Sequence, residues 1–480
     1  MKRFFLFIPG LLAIFPPLFL FFNNRDVISV PLYVFLSAVF CVGTVVFFCL
    51  LVVMFFIKDD QKAVILTSVA VIAIFYYGYF FEIIKMAQFG NFAVDRHRQA
   101  ILIWSAVIFI TGFLVWRLKN AYFLCKTAGI FIIVLFTVFF ISFAIDSTKV
   151  FSQKKEAYPL WDAERAFSLD YVNSFLGYVP DVYYIVPDAY ENASILKNFF
   201  GYDNREFISY LEQKGFSVVE NSESNYPSTL LSVPATLNME YMDPSTLKSL
   251  SKNSLPARKI FFEESRTAMI FKSLGYKYVA IASDNTSFSG NKADIRFGPS
   301  ILFRLLIKPT IFDPFSQRFR NRVLGAFNSF DKASSLAGPK FVLAHIISPH
   351  DPYVFGPNGE KIGVHYIEEP HSEKEMKLYL NQVKFVNKEL EKSIDAILKN
   401  SKRDPVIIIQ SDHGFFLPDS YGEENVRDAR FKNLSAFLLP KKMNDLPVSN
   451  INTFRFIFDR YFGTSFGLLE DKRNYTEIFN

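Results

Sequence analysis

Carboxylate and imidazole side chains follow three apolar runs of the chain, each at the point where the run stops. Asp188 follows the run in YYIVPDAY, His350 follows the run in LAHIISPHDPYVF, and Asp412 and His413 follow the run in VIIIQSDHG. Each group alone is also typical of a turn acid or a cap. Together, in a chain with only six histidines, they indicate one shared site, because open α/β sheets carry their chemistry at the carboxyl ends of strands.

A metal site is the chemistry that these residue types fit. Zn²⁺, Mn²⁺ and Mg²⁺ accept carboxylate oxygen, and Zn²⁺ and Mn²⁺ also accept imidazole nitrogen. Asp188, Asp412 and His413 would supply three ligands and leave one position open, as in catalytic rather than structural sites. We therefore expect one divalent cation, zinc or manganese first and magnesium as the alternative.

A hydroxyl-rich stretch, SNYPSTLLSVPATLNMEY (224–241), could fill the open position. Its apolar continuation predicts a helix that begins near Ser228 and Thr229. A metal-bound hydroxyl at a helix amino terminus is more easily deprotonated and becomes a nucleophile, and the same helix end favours an anion such as phosphate. The alternative is that Ser228 or Thr229 only caps the helix.

The elements that would position these groups alternate between strands and helices from Asp181 onward. This alternation predicts a mostly parallel sheet with helices on both faces. The helical patterns include 205–215 and 373–400, and the expected strands are 182–186, 276–282, 341–347, 406–409 and 435–440.

Residues 1–145 are of a different kind, with apolar runs long enough to cross a bilayer, which takes about 20 residues. We predict a five-helix transmembrane domain over 1–145, a juxtamembrane linker over 146–180 and a catalytic domain over 181–480. The predicted spans are Phe4–Phe22, Ile28–Ile57, Ala63–Ile84, Ala100–Trp116 and Ala121–Ile145.

Lysine and arginine in the short loops predict the orientation. Lys2, Arg3, Lys58, Lys62, Arg117 and Lys119 fall on one side, which the positive-inside rule makes cytoplasmic. The catalytic domain would then lie outside a bacterial cytoplasmic membrane, in the periplasm or at the cell exterior. The three cysteines all fall in or beside membrane segments, and the net charge of +6 does not suggest a nucleic-acid partner.

One segment, 296–325, interrupts the alternation by mixing basic side chains with large apolar ones. It could contact anionic lipid or a phosphate-bearing substrate, and the alternative is an amphipathic surface insert. Its basic residues are Arg296, Arg304, Lys308, Arg318, Arg320 and Arg322.

Four motifs in this order, Asp188 after a strand, NYPSTLLSVP, SPHDPY and SDHG, resemble the alkaline phosphatase/sulfatase superfamily. Within it the chain resembles membrane-anchored sulfatase-like hydrolases and transferases, such as lipoteichoic acid synthases and lipid A phosphoethanolamine transferases. The resemblance implies an alkaline-phosphatase-like α/β domain. It also implies Asp188, Thr229, Asp412 and His413 as metal ligands, and a second metal ion stays open because some members use two.

The resemblance further implies the chemistry of the site. Thr229 would be the nucleophile, and His350 would hold the substrate or the leaving group. Arg430 is a candidate phosphate contact, with a surface ion pair as the alternative, whereas His345, in the middle of a strand, is expected to be a core residue. The implied reaction moves a phospho-head group from a membrane phospholipid to a glycan or glycolipid such as lipopolysaccharide.

Two departures from the superfamily patterns bear on which reaction and which donor lipid are expected. Sulfatases carry Cys or Ser in a C/S-x-P-x-R context, but here Thr236 stands where the arginine belongs after Ser232 and Pro234. The soluble part has no cysteine, unlike most phosphoethanolamine transferases, which favours a phosphoglycerol donor over a phosphoethanolamine donor. The alternatives are a metal-dependent phosphodiesterase or phosphatase and a non-catalytic envelope assembly protein. The sequence does not indicate an oligomeric state.

Overall fold

The computed structural model describes residues 4–23, 32–86, 97–153, 174–242, 265–283, 293–298, 306–312, 319–365 and 372–475. Within them the chain forms two compact units. The membrane unit comprises the described residues up to 153 together with 306–312, and the α/β unit comprises the remaining described residues from 174 onward. The linker predicted over 146–180 lies mostly outside the described residues, and the predicted domain boundaries remain a prediction.

The membrane unit is built from apolar helices. Four of its described helices are long and apolar enough to cross a membrane, or five if a bent pair counts as one span. The helices are a short 3-10 turn at Phe4–Phe7, α1 (Ile8–Asn23), α2 (Leu32–Ile57), α3 (Asp60–Phe75), α4 (Tyr77–Met86), α5 (His97–Arg117) and α6 (Tyr122–Gln153).

The bent pair is α3 and α4, which the sequence predicted as one span, Ala63–Ile84. The two helices meet at 59°, and the break frees backbone groups that need partners in an apolar setting. Residues 309–311 supply them: the Gly78 N–H donates to the Pro309 carbonyl (2.9 Å), and the Ile311 N–H donates to the Ile74 carbonyl (2.8 Å). A β-carbon on Gly78 would lie only 2.6 Å from the Lys308 carbonyl oxygen, so this close approach requires glycine.

Residues 306–312 therefore pack on the membrane unit, although they lie within the predicted catalytic domain. Thr310 is buried, and Ile311 packs beside Tyr77, Phe81 and Trp104. The sequence alternatives for 296–325 were a lipid or substrate contact and a surface insert. Neither foresaw that part of this segment supports a helix break.

The α/β unit is built around a sheet that has seven strands within the described residues. The strands are β1 (Val182–Pro187), β2 (Ser217–Val218), β3 (Lys277–Ala282), β4 (Ile295–Phe297), β5 (Lys340–Ile346), β8 (Val406–Gln410) and β9 (Ser435–Leu438). Their order in the sheet is β2-β9-β8-β1-β5-β3-β4. β8, β1, β5, β3 and β4 run parallel, and β9 and β2 add antiparallel pairs at one edge. A separate hairpin pairs β6 (Tyr353–Phe355) with β7 (Lys361–His365). The predicted mostly parallel sheet is confirmed.

Helices cover both faces of this sheet. Because successive strand residues point to opposite faces, each strand packs against helices on both sides. On one face, Tyr183 and Ile185 of β1 belong to a core that also contains Phe330 and Val383 from two of the covering helices. On the other face, Tyr184 lies edge-on against Phe454, with 5.1 Å between the ring centroids. The helices are α7 (Ala193–Phe200), α8 (Arg205–Gln213), α9 (Thr229–Asn238), α10 (Arg266–Ser273), α11 (Phe319–Ser334), α12 (Glu373–Asn400), α13 (Glu423–Phe431) and α14 (Thr453–Tyr461).

Candidate metal centre

Three neighbouring strands bring the sequence-predicted groups to one edge of the sheet. β1 pairs in parallel with β8 on one side and with β5 on the other, so the loops that follow the three strands meet. The Ala189 N–H donates to Oδ1 of Asp412 (3.1 Å), which joins the loops after β1 and β8. The His350 N–H donates to the Asp188 carbonyl (3.1 Å), which joins the loops after β1 and β5.

Asp188, Asp412 and His413 form a buried cluster in which one ligand atom from each lies within 4.8 Å of the others. Nε2 of His413 lies 3.6 Å from Oδ1 of Asp188 and 3.6 Å from Oδ2 of Asp412. Each of the three residues is no more than 4% exposed. Such a concentration of buried acid calls for a positive partner, because an uncompensated buried charge is costly.

The state of His413 suits a metal ligand. Nδ1 of His413 lies 2.9 Å from the Gly414 carbonyl, so it carries the proton and donates it there. Nε2 is then left with its lone pair towards the two carboxylates. Burial lowers the pKa of His413, and the charge of Arg430 lowers it further, which keeps the imidazole neutral at physiological pH.

The state of Asp412 fits the same conclusion. Burial raises the pKa of this carboxyl group, but its neighbours, among them the Ala189 N–H that donates to Oδ1, more than offset burial, so the pKa lies below its usual value. Oδ2 of Asp412 is buried and has no hydrogen-bond partner among the described residues. An ionised oxygen without a partner, beside a neutral imidazole and a second carboxylate, fits a divalent cation held by these three residues.

Thr229 supplies the hydroxyl that the sequence proposed for the fourth position. It is the first residue of α9, with Ser228 as the N-cap in an extended conformation. Its Oγ1 lies 3.3 Å from Nε2 of His413. The Ser228 hydroxyl makes no capping hydrogen bond. The helix amino terminus, with its partial positive charge, therefore opens beside the cluster.

His350 stands at the edge of the same cluster, with its ring centroid 6.3 Å from that of His413. Its side chain is 38% exposed, and its Nδ1 lies 2.7 Å from Oδ1 of Asp351. Burial lowers the pKa of His350, but the charges of Asp188 and Asp351 outweigh it and raise the pKa to about 10. With the Asp351 carboxylate beside its Nδ1, His350 can hold an anion or donate a proton.

Arg430 lies at the carboxyl end of α13 beside the loop of the Asp412-His413 pair. Its Nη1 donates to the Gly414 carbonyl (2.7 Å), and its guanidinium lies 4.7 Å from the centroid of the Phe416 ring. Burial lowers the pKa of Arg430 to about 10, while the charges of Asp412, Asp188 and Glu191 oppose this shift. The contact to phosphate remains a prediction.

His345 was expected to be a core residue, and it is only 1% exposed. Its Nε2 lies 3.5 Å from Oδ2 of Asp188, so the Asp188 carboxylate has an imidazole beside each oxygen. Strand alternation around FVLAHII could not reveal this contact, because it depends on the pairing of β5 with β1. Sequence reasoning also missed Glu191 and Tyr379, whose contacts join the two ligand loops.

A comparison with protein families agrees with this fold. The sulfatase family model matches residues 180–436, more than half of the chain. A search of curated proteins gave no match. Among solved structures, the zinc complex of the periplasmic domain of EptC from Escherichia coli is similar at 12% identity. That match covers 59% of this chain and 82% of that one, with a TM-score of 0.41.

Two further solved structures are similar at the same level. The lipooligosaccharide phosphoethanolamine transferase EptA from Neisseria meningitidis has 15% identity and a TM-score of 0.43, with 75% of this chain and 69% of that chain covered. A protein of the alkaline phosphatase superfamily from Vibrio parahaemolyticus has 16% identity and a TM-score of 0.40, with coverages of 59% and 67%.

The fold and the cluster thus define a membrane protein with a sulfatase-like α/β domain and a site that fits a divalent cation. The chain belongs to the sulfatase family. Members of the superfamily, which includes sulfatases and phosphoethanolamine transferases, are enzymes.

Proposed function

We propose that the chain is a metal-dependent phosphotransferase that moves a phospho-head group from a membrane phospholipid to a glycan or glycolipid of the cell envelope. The head group would be phosphoglycerol or phosphoethanolamine, carried as a phosphothreonine on Thr229. The observation that supports this most is the Thr229 hydroxyl at the amino terminus of α9, 3.3 Å from Nε2 of His413. A hydroxyl nucleophile, a helix end that attracts phosphate and a cation site then coincide.

The apolar helices support a lipid donor. A substrate confined to a bilayer is most easily reached by an enzyme anchored in the same bilayer, and this chain has four to five helices able to cross one. We infer that the chain lies in a bacterial cytoplasmic membrane with its catalytic domain in the periplasm or outside the cell. The charge of the short loops supports this orientation.

Each residue of the site would have its own role in the transfer. Asp188, Asp412, His413 and Thr229 would hold a divalent cation, which when bound stabilises negative charge and lowers the pKa of the nucleophile. The bond from Thr229 Oγ1 to phosphorus would form as the bond from phosphorus to the diacylglycerol oxygen breaks, and the Thr229 hydroxyl proton would pass to solvent. Protonated His350 would donate the proton that the leaving oxygen needs. In the second half, the acceptor hydroxyl would attack the phosphothreonine and give its proton to the now neutral His350, while the released Thr229 oxygen takes up a proton from solvent.

The surroundings of Ser232 support phosphate rather than sulfate chemistry. Ser232 is the residue that the C/S-x-P-x-R pattern of sulfatases would make the nucleophile, but its hydroxyl is buried and has no hydrogen-bond partner among the described residues. Thr236, which stands where a sulfatase carries arginine, donates its hydroxyl to the Ser232 carbonyl (2.8 Å). A formylglycine at this position would lack its arginine partner.

A product assay tests the proposal. The purified full chain is placed in vesicles that contain phospholipid labelled in the head group, together with candidate glycolipid acceptors. The proposal predicts that diacylglycerol is released and that label appears on the acceptor, and that both are lost in Thr229→Ala. Label recovered only as free head-group phosphate would instead make the chain a phosphodiesterase. Release of diacylglycerol by Thr229→Ala at the wild-type rate would contradict the nucleophile.

A further inference from the structure

Glu191 is a buried carboxylate beside the metal cluster with no part in the chemistry described above. Its residue is 0% exposed. Oε1 accepts the Phe415 N–H (2.7 Å), two residues after His413, and Oε2 has no hydrogen-bond partner among the described residues. A carboxylate is costly to bury, so its presence here calls for a role beyond packing.

The backbone of Glu191 also belongs to the connection between the two ligand loops. Its N–H donates to the Tyr379 hydroxyl (3.0 Å), and that hydroxyl donates to the Ala189 carbonyl (2.7 Å). The Ala189 N–H in turn donates to Oδ1 of Asp412. Residues 188–191 after β1 are therefore tied both to α12 and to the loop after β8.

The ligand loop has little room to move at the Glu191 contact. A β-carbon on Gly414 would lie 2.9 Å from Oε1 of Glu191 and 2.6 Å from the Lys432 carbonyl oxygen, and closer still to the Ala429 carbonyl. The Gly414 carbonyl oxygen accepts hydrogen bonds from Nδ1 of His413 and from Nη1 of Arg430. The loop from Asp412 to Phe415 is thus held between Glu191 and Arg430.

We propose that Glu191 is a positioning residue for the metal site, whose hydrogen bond to the Phe415 N–H sets the place of the His413 and Asp412 ligands. The proposal rests on the metal centre of the proposed function. Groups that orient metal ligands typically change affinity by about 10- to 100-fold when removed. The role depends on an oxygen that accepts the Phe415 N–H, so a glutamine amide at position 191 should serve as well as the glutamate.

Two variants of similar size separate the acceptor from packing. Glu191→Gln keeps an oxygen for the Phe415 N–H, whereas Glu191→Met keeps the approximate volume and removes the acceptor. Glu389→Met is the matched control, because Glu389 is also a buried glutamate, 8% exposed, but pairs with Lys392 on α12. Each full chain is purified in detergent and stripped of metal with a chelator. One portion is used to measure thermal unfolding, and another is titrated with Zn²⁺ alone.

The expected result is Zn²⁺ affinity within about threefold of wild type for Glu191→Gln and Glu389→Met, and a loss of about 10- to 100-fold for Glu191→Met. Equal affinity in Glu191→Met and wild type would overturn the positioning role while leaving the metal centre intact. So would a Glu191→Met protein that fails to fold, since Glu191 would then serve overall stability. A wild type that binds no Zn²⁺ would instead remove the metal centre and this inference with it.

Discussion

The backbone N–H of His350 donates to the carbonyl of Asp188 at 3.1 Å. This hydrogen bond joins a residue that follows β5 to one that follows β1, although the two are far apart in the sequence. The proposed proton donor and the proposed metal ligand are therefore held at a fixed separation by main-chain atoms. A substitution that shifts the loop of either residue should therefore also shift the other residue.

Loss of a cluster carboxylate should empty the metal site. We expect Asp412→Ala to purify with far less bound divalent metal than wild type, because it removes one of three buried ligands. Asp404→Ala is the control, since Asp404 is exposed and lies at the opposite end of β8. Elemental analysis of both proteins checks this, and equal metal content in wild type and Asp412→Ala would exclude Asp412 as a ligand.

Gly414→Ala should disturb the ligand loop even though it adds only one methyl group. The new β-carbon would meet three oxygen atoms from Ala429, Lys432 and Glu191, so we expect roughly 1–3 kcal/mol of destabilisation and weaker metal binding. Gly325→Ala is the matched control, because that glycine lies inside α11 with open space around it. It should stabilise the protein by about 0.5–1 kcal/mol.

Thermal unfolding of the two glycine variants, with and without added Zn²⁺, measures both effects. The account predicts opposite signs for the change in melting temperature in the metal-free proteins. If Gly414→Ala melts like wild type and binds Zn²⁺ with unchanged affinity, the loop is not held as tightly as its contacts indicate.

The proposed orientation of the chain rests on its loop charges and can be tested directly. Protease added to intact spheroplasts should cleave within residues 146–480, because the positive-inside rule places this part outside the cytoplasm. Lysed spheroplasts provide the control for susceptibility. Protection in intact spheroplasts with cleavage only after lysis would reverse the orientation.

Local sequence patterns predicted much of the α/β unit. The run VIII became the first four residues of β8 (Val406–Gln410), and the pattern over 373–400 became α12 with the same bounds. Such patterns are local, because a strand or helix is chosen largely by the spacing of its own apolar residues. The strand ends then placed Asp188, Asp412 and His413 together, since parallel neighbours end at the same edge.

Contacts between distant segments were not predictable in this way. Nothing near Glu191 shows that its carboxylate meets the Phe415 N–H, and nothing near Gly78 shows that Pro309 accepts its hydrogen bond. The break between α3 and α4 was missed for the same reason, because hydropathy over Ala63–Ile84 is continuous. Its partners come from a segment more than two hundred residues later.

Thr229 should be essential where its neighbouring serines are not. A residue that provides covalent catalysis lowers the activation barrier by several kcal/mol, so Thr229→Ala should lower turnover by about 10³-fold or more. Ser228→Ala and Ser232→Ala should lose much less, because no described contact joins their hydroxyls to the cluster. Rates of diacylglycerol release by the three variants test this assignment. A larger loss of rate in Ser232→Ala than in Thr229→Ala would make Ser232 the nucleophile.

Mass spectrometry of the protein after exposure to phospholipid vesicles without acceptor shows whether Thr229 carries the transferred group. We expect an added mass equal to one phospho-head group on the peptide that contains Thr229, absent from Thr229→Ala and lost when acceptor is added. The same mass on another residue, or release of diacylglycerol with Thr229 unmodified throughout, would contradict transfer through this threonine.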